Sequence, residues 1–324
     1  MRHKQLTLAE RYHISTLLKR GYTQQKIAEH IGVHPSTISR EIRRNSDEVT
    51  QIYEYSFAHS KYEQRQQSKR KYTVFTSKIK TYIKTRLKED WSPEQIAGRM
   101  KIELGLSICH ETIYRYIYYN KSRGGRLYKH LRHKNKKYHS RSNKYQRRGI
   151  IIDRVSIDKR PKIVEKKNRI GDFEIDTVIG LNHVGALVTV VDRKSKYTII
   201  KKVSSKKADV VTMALIEMLY PLRKITKTIT SDNGKEFAYH KQVSETLDTS
   251  FYFAHPYSSW ERGLNEHTNG LIRQYLPKKT NFTQISKEEI TTIQDKLNHR
   301  PRKVLNYRTP HEVFFTEVAK QLAA

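Results

Sequence analysis

The sequence predicts a multidomain α plus α/β chain: small helical units first, then a mixed β-sheet flanked by helices. Three observations predict it. Apolar residues recur at helical spacing through the first 120 residues, punctuated by caps, glycine and proline. Short β-prone runs separated by turns and amphipathic stretches fill residues 171–254. The charge is also uneven, with 34 basic against 12 acidic residues over 1–150 and 30 against 20 over 151–324. At 324 residues, two or three domains are the natural expectation.

Thr7 and Glu10 have capping-box spacing and open a helix over 7–20, with Ile14, Leu17 and Leu18 as its apolar face and Gly21 as its stop. In the segment 24–44, Ile27, Ala28 and Ile31 pack one helix, Gly32 permits a tight turn, Val33 plugs it and Pro35 starts a second helix. Ile38 and Ile42 bury that second helix. This is helix-turn-helix grammar. It leaves Ser36, Thr37, Arg40 and Arg44 facing outward, as major-groove contacts would. The bland alternative is a helical hairpin with a basic face. Residues 1–50 form this first domain.

Residues 51–120 read as a helical connector ending in a second such unit. Ser92 caps a helix that Pro93 begins, and Ile96, Ala97 and Met100 form its inner face. Gly105 falls in an enlarged turn. A second helix follows, with Ile113 and Ile117 inward and Arg115 exposed. Residues 121–152 form a basic linker. No acid occurs between Thr112 and Ile152, and over 121–148 twelve lysines and arginines, Lys134, Lys136 and Lys137 among them, interleave with tyrosines. Such a run repels itself when free and suits a phosphate backbone.

The fourth segment, 153–324, carries the sheet. Strands are expected over 171–180, 184–192 and 196–203, a covering helix over Lys206–Leu222, then strands at Thr226–Ser231 and Phe251–Ala254. Another helix starts near Ser286, and a basic tail ends as NHRPRKVLNYRTPHEVFF.

A net charge of +32 makes nucleic acid the expected partner, through counterion release at each phosphate contact. A membrane surface also attracts such charge, but no apolar run approaches the ~18 residues of a spanning helix. The first residues lack a signal-peptide core, and Cys109 is the only cysteine, which excludes an intrachain disulfide and a cysteine metal site. Both point to the cell interior.

Three sets of acids stand out. Asp172, Glu174 and Asp176 alternate along the first strand, and the pattern does not choose among them. Asp232 ends an apolar strand, where Asn233-Gly234 forces a turn. Glu261 and Glu266 lie around the start of a later helix, about 140° apart, so they do not share a face. Glu266 shares one with Asn269 and Arg273. Asp192 reads as a turn residue, Glu236 as solvated, and Leu264 and Leu271 as the inward face of that helix. Two strand carboxylates and a helix glutamate suit hard divalent cations, which take oxygen ligands and leave room for phosphate. Two such ions, roughly 3.5–4 Å apart, serve in-line displacement at phosphorus.

The blocks GDFEIDTVIG, TSDNGKEF, HPYSSWERGLNEHTNGLIRQYLPKK and LNHRPRKVLNYRTPHEVF resemble those of bacterial insertion-sequence transposases of the insertion-sequence-thirty family. With the N-terminal helices, the resemblance covers nearly the whole chain. It departs at Phe173, where tryptophan is expected, and at His267, where asparagine is expected. It implies a ribonuclease-H-like, integrase-type core with an Asp-Asp-Glu triad. It selects Asp176, Asp232 and Glu266 as catalytic and metal-holding residues, the last two separated by 33 residues. It further implies Mg²⁺, with Mn²⁺ as substitute and two ions, and cleavage at the element's 3′ end followed by strand transfer. The partners it implies are terminal inverted repeats and target DNA, held by a homodimer or higher multimer in the bacterial cytoplasm, on the nucleoid. Arg273 would follow the DNA backbone. Two other readings use the same motifs: a transcriptional repressor with an inactive nuclease-like domain, and a metal-dependent endonuclease that cuts without joining.

Overall fold

The computed structural model describes residues 5–68, 75–132, 151–256 and 258–323, in two compact units, Met1–Val74 and Phe75–Ala324. The basic residues Lys134, Lys136 and Lys137 lie outside the described residues.

The first unit packs α1 (Leu8–Lys19), α2 (Gln24–Ile31), α3 (Pro35–Asn45) and α4 (Tyr55–Ser68). The Thr7–Glu10 capping box forms, Gly32 closes α2 at φ 75°, and Pro35 takes the first turn of α3. Ile14, Ile27, Ala28 and Ile38 are fully buried, and Ala58 of α4 joins the same core, so α4 belongs with this unit. Buried Arg11 ties α1 to α3 by donating to Glu41 at 2.7 Å.

The second unit begins with α5 (Ser77–Lys88), α6 (Pro93–Leu104) and α7 (His110–Ser122) around Ile83, Leu87, Ile96, Met100, Ile113 and Ile117. Ser92 and Gln95 complete a capping box, and Gly105 ends α6 at φ 65°. The sheet follows as β1 (Asp172–Ile179), β2 (Ala186–Asp192), β3 (Thr198–Val203), α8 (Ala208–Leu219), β4 (Thr228–Ser231), α9 (His240–Leu247) and β5 (Ser250–Phe253). The chain ends in α10 (Gly263–Tyr275), α11 (Lys287–Asn298) and α12 (Pro310–Ala323). Strand order is β3-β2-β1-β4-β5, antiparallel through β1 and parallel beyond it.

Strand alternation decides which side carries chemistry. Phe173 and Ile175 of β1 face α8 and α9, with Val188 and Val190 of β2 and Ile229 of β4. Phe173 is fully buried there, filling the position where tryptophan was expected. The even-numbered residues of β1, the three acids and Val178, face the other side, where Leu187, Leu271, Ile272 and α11 form a second core. The acids therefore lie beneath α10.

The α5–α7 unit docks on the C-terminal cap. Arg99 donates to Glu312 at 2.8 Å, Lys296 reaches Asp90 at 3.2 Å, and Gly98 lies flat against the Tyr307 ring. Among the described residues no helix is long and apolar enough to cross a membrane.

Candidate active site

Asp176 sits in β1, held from two sides. The Thr177 amide donates to its Oδ1 at 2.9 Å, and Asn269 of α10 donates to its Oδ2 at 2.8 Å. Asp232 ends β4, the parallel neighbour of β1, and caps its own turn by accepting from the Gly234 amide at 2.9 Å. Asn233 fixes that turn by donating to the Ala254 carbonyl at 2.5 Å. The two carboxylates meet at one guanidinium: Arg262 Nη1 lies 3.8 Å from Asp176 Oδ2, and Nη2 lies 3.6 Å from Asp232 Oδ2. Arg262 Nη1 also donates to the Ile175 carbonyl at 3.3 Å.

Burial pushes the Asp176 carboxyl up to about 6; Arg262 opposes the rise, and Asp232 and then Glu236 add to it. Two negative groups crowded in one cleft call for a cation between them. The donors are hard oxygens, so the residues present fit a hard divalent ion. Glu266 is exposed on α10, one turn before Asn269, the residue that holds Asp176. Among the described residues no three carboxylate, imidazole or thiol groups converge closely enough to hold an ion as the side chains stand. Asp176 and Asp232 are thus brought together at Arg262, and Glu266 does not converge with them as the side chains stand.

The competing acids are occupied elsewhere. Glu261 accepts from the His255 amide and pairs with its Nδ1, both at 2.8 Å. Glu174 is buried against Arg193 at 3.2 Å and the Asn265 amide at 3.3 Å. Asp172 is buried and pairs with Arg169 at 2.8 Å. Asp192 accepts from Gly171 and from Ser195 and so holds the β2–β3 turn, as its position suggested.

Two expectations need correction. Glu236 is not solvated: it is 4% exposed, accepts from Thr177 Oγ1 at 3.0 Å and pairs with Lys206 at 2.7 Å. It belongs to the acidic floor of the site. The inner face of α10 is formed by Asn265, Thr268, Leu271 and Ile272, while Leu264, in the first turn of the helix, is only half-buried. Sequence reasoning also passed over Arg262, although it stands inside the quoted WERGLNEHTNG block. A cation beside a proposed cation site carries no local signal.

The proposed DNA contacts divide. Arg40 and Arg44 are exposed on α3, with Ser36 and Thr37 half-buried at its start, and Arg115 is exposed on α7. Arg273 instead turns inward, donating to the carbonyls of Ile179 at 2.7 Å and Pro277 at 3.3 Å, which anchors the end of β1 to α10.

Known proteins share this organisation. A helix-turn-helix domain family matches residues 2–45 and an integrase core domain family matches residues 171–259. The transposase for insertion sequence element IS4351 of Bacteroides fragilis is 46% identical over 96% of this chain and 95% of its own length. Transposase InsI for insertion sequence element IS30A of Escherichia coli strain K12 is 34% identical over 97% of this chain and 84% of its own. The solved catalytic core domain of BIV integrase, 15% identical, covers 47% of this chain and 98% of its own with a TM-score of 0.38.

Proposed function

The chain belongs to the insertion-sequence-thirty family of transposases, and from that premise we propose that it binds the terminal inverted repeats of its own element, cuts at the element's 3′ end and joins that end to target DNA. The observation that carries this reading is the meeting of Asp176 and Asp232 at one guanidinium, on adjacent parallel strands beneath α10.

Asp176, Asp232 and Glu266 are the residues that would hold Mg²⁺ or Mn²⁺, as two ions. When bound, a divalent cation stabilises charge on the attacking and leaving oxygens of a phosphoryl transfer. The chain's own groups prepare that site. Asn269 and the Thr177 amide fix the Asp176 carboxylate, the Gly234 amide fixes Asp232, and Glu236 with Lys206 closes the floor. In the first step a water oxygen bonds to phosphorus and the bond to the element's 3′ oxygen breaks. In the second, the freed 3′ hydroxyl bonds to a target phosphorus and expels a target 3′ oxygen. Neither step needs a covalent bond to the enzyme.

Arg40 and Arg44 of α3 read the repeat together with Ser36 and Thr37. Arg115 and the basic segment with Lys134, Lys136 and Lys137 hold the backbone. A homodimer or higher multimer would bring two element ends together, in the cytoplasm and on the nucleoid. A labelled element end incubated with target duplex and Mg²⁺ tests the whole reading. Cut and joined products are expected. Cutting without joining would make the protein an endonuclease, and specific binding without either would make it a repressor.

A further inference from the structure

Beside α10, between the α5–α7 unit and the C-terminal cap, lies a second cleft of about 460 Å³. This volume is in the range of small-ligand sites. One wall is arginine. Arg300 is 3% exposed; its Nη2 donates to the Tyr275 hydroxyl at 2.8 Å and its Nη1 to Gln274 at 3.3 Å, while its Nε has no partner. Arg302 Nη2 donates to the Leu297 carbonyl at 3.0 Å, and its Nε is likewise buried without a partner. Burial, and then Arg300, pulls Arg302 down to about 10. Arg132 completes the wall, lying so close over α10 that a Cβ at Gly270 would stand 3.2 Å from its Nη2.

Buried guanidinium groups are costly unless an anion meets them. Among the described residues neither Arg300 nor Arg302 forms an ion pair, and both keep a buried Nε without a partner. The acids nearby are already engaged: Asp90 with Lys296 at 3.2 Å and His130 at 3.7 Å, and Glu94 with Lys303 at 2.7 Å. The cleft is also lined by Tyr114 and Tyr118 of α7, stacked at 6.2 Å between ring centres. Guanidinium groups together with tyrosine rings are the pairing that nucleotides recognise, phosphate on the one and sugar or base on the other.

Position points to the same ligand. Gly270 follows Glu266 by four residues, about 40° round α10. Arg132 therefore lies over α10 one turn beyond Glu266 and on nearly the same face, and it also lines the cleft.

We propose that this cleft holds one nucleotide of the DNA strand beside the bond that is cut, its phosphate on Arg300, Arg302 and Arg132 and its sugar and base against Tyr114 and Tyr118. The proposal rests on the transposase reading above for the identity of the strand. It makes the α5–α7 unit a wall of the DNA path.

The test uses the full chain with Arg132→Gln, Arg302→Gln and the double variant, each checked for an unchanged melting temperature. Arg132 is exposed, so its variant keeps the test sound if Arg302→Gln fails to fold. Two readouts are taken on an element-end duplex: photocrosslinking from iodouracil placed next to the cut, and the dependence of affinity on salt. Crosslinks to Tyr114 or Tyr118 are expected. So is a salt slope shallower by about one for each arginine removed. Crosslinks elsewhere together with an unchanged slope would overturn the proposal. So would stabilisation of the wild type by inorganic phosphate with no change in the variants' DNA binding, which marks a site for small anions only. A wild-type chain that crosslinks at the tyrosines but neither cuts nor joins would instead sink the transposase chemistry and leave the cleft standing.

Discussion

Asp176 carries its negative charge against its surroundings, and that has a measurable consequence for stability. Its folded-state pKa, about 6, lies above the ordinary 3.8. Between those values the folded chain binds the proton more tightly than the unfolded chain does. Stability therefore falls as pH rises through that window, and the full penalty is present above about pH 6. Asp176→Asn removes the charge and is expected to abolish cutting and joining while raising stability at neutral pH, by up to about 3 kcal/mol. Thermal melts of both proteins across this pH range check it: the gain should shrink toward pH 4, and a variant that still joins strands would refute the role. Asp232→Asn should likewise end chemistry and spare binding.

The choice between the glutamates is tested at the same scale. Glu266→Gln is expected to remove cleavage over a Mg²⁺ and Mn²⁺ titration, with repeat binding intact. Glu261→Gln should leave cleavage in place, since Glu261 anchors His255. A dead Glu261→Gln with normal binding would move the third ligand. The strand acids were legible because β-alternation exposes them as a set, and the family blocks then singled out Asp176. Arg262 and Glu236 were not legible, because their roles depend on which elements fold over them: the turn at 259–262 in one case, Thr177 and Lys206 in the other.

Elements were read most surely where local chemistry states their limits. The capping residues at Thr7 and Ser92, the left-handed Gly32 and the prolines at 35 and 93 each mark a helix end within the chain itself, and each falls where the pattern put it. The reach of a unit was harder to read. Nothing in the polar sequence of α4 announces that Ala58 completes the first core. The consequence for function falls on α3. Its Arg40 is exposed on a helix held rigidly by Ile38 and the Arg11–Glu41 pair, so its loss should alter recognition and leave the fold intact. Arg40→Ala is expected to reduce preference for the terminal repeat by about 1–3 kcal/mol if its base contact is bidentate. Neutralising Lys134, Lys136 and Lys137 should weaken binding to every sequence and flatten its salt dependence. Competition binding with repeat and random duplexes separates the two effects, and equal loss of specificity from both changes would refute the division.

For the whole molecule, the decisive contact is the docking of α6 onto the C-terminal cap, a pairing across about two hundred residues that no local pattern reports. Gly98 is its closest point. A Cβ there would stand 2.3 Å from the Tyr307 ring, so the ring or the helix must shift. Arg99 and Glu312 lock the same junction. Gly98→Val should therefore force the α5–α7 unit off its seat. Overpacking of this kind typically costs about 1–3 kcal/mol. Because Tyr114 and Tyr118 travel with that unit, cleavage should fall more steeply than repeat binding, which is proposed for α1–α4, a unit with a core of its own. Melting curves, cleavage rates and repeat affinity of Gly98→Val and Gly98→Ala, measured together, check the claim. A variant that melts lower yet cuts at the wild-type rate would show that the docked unit supports the fold without shaping the DNA path.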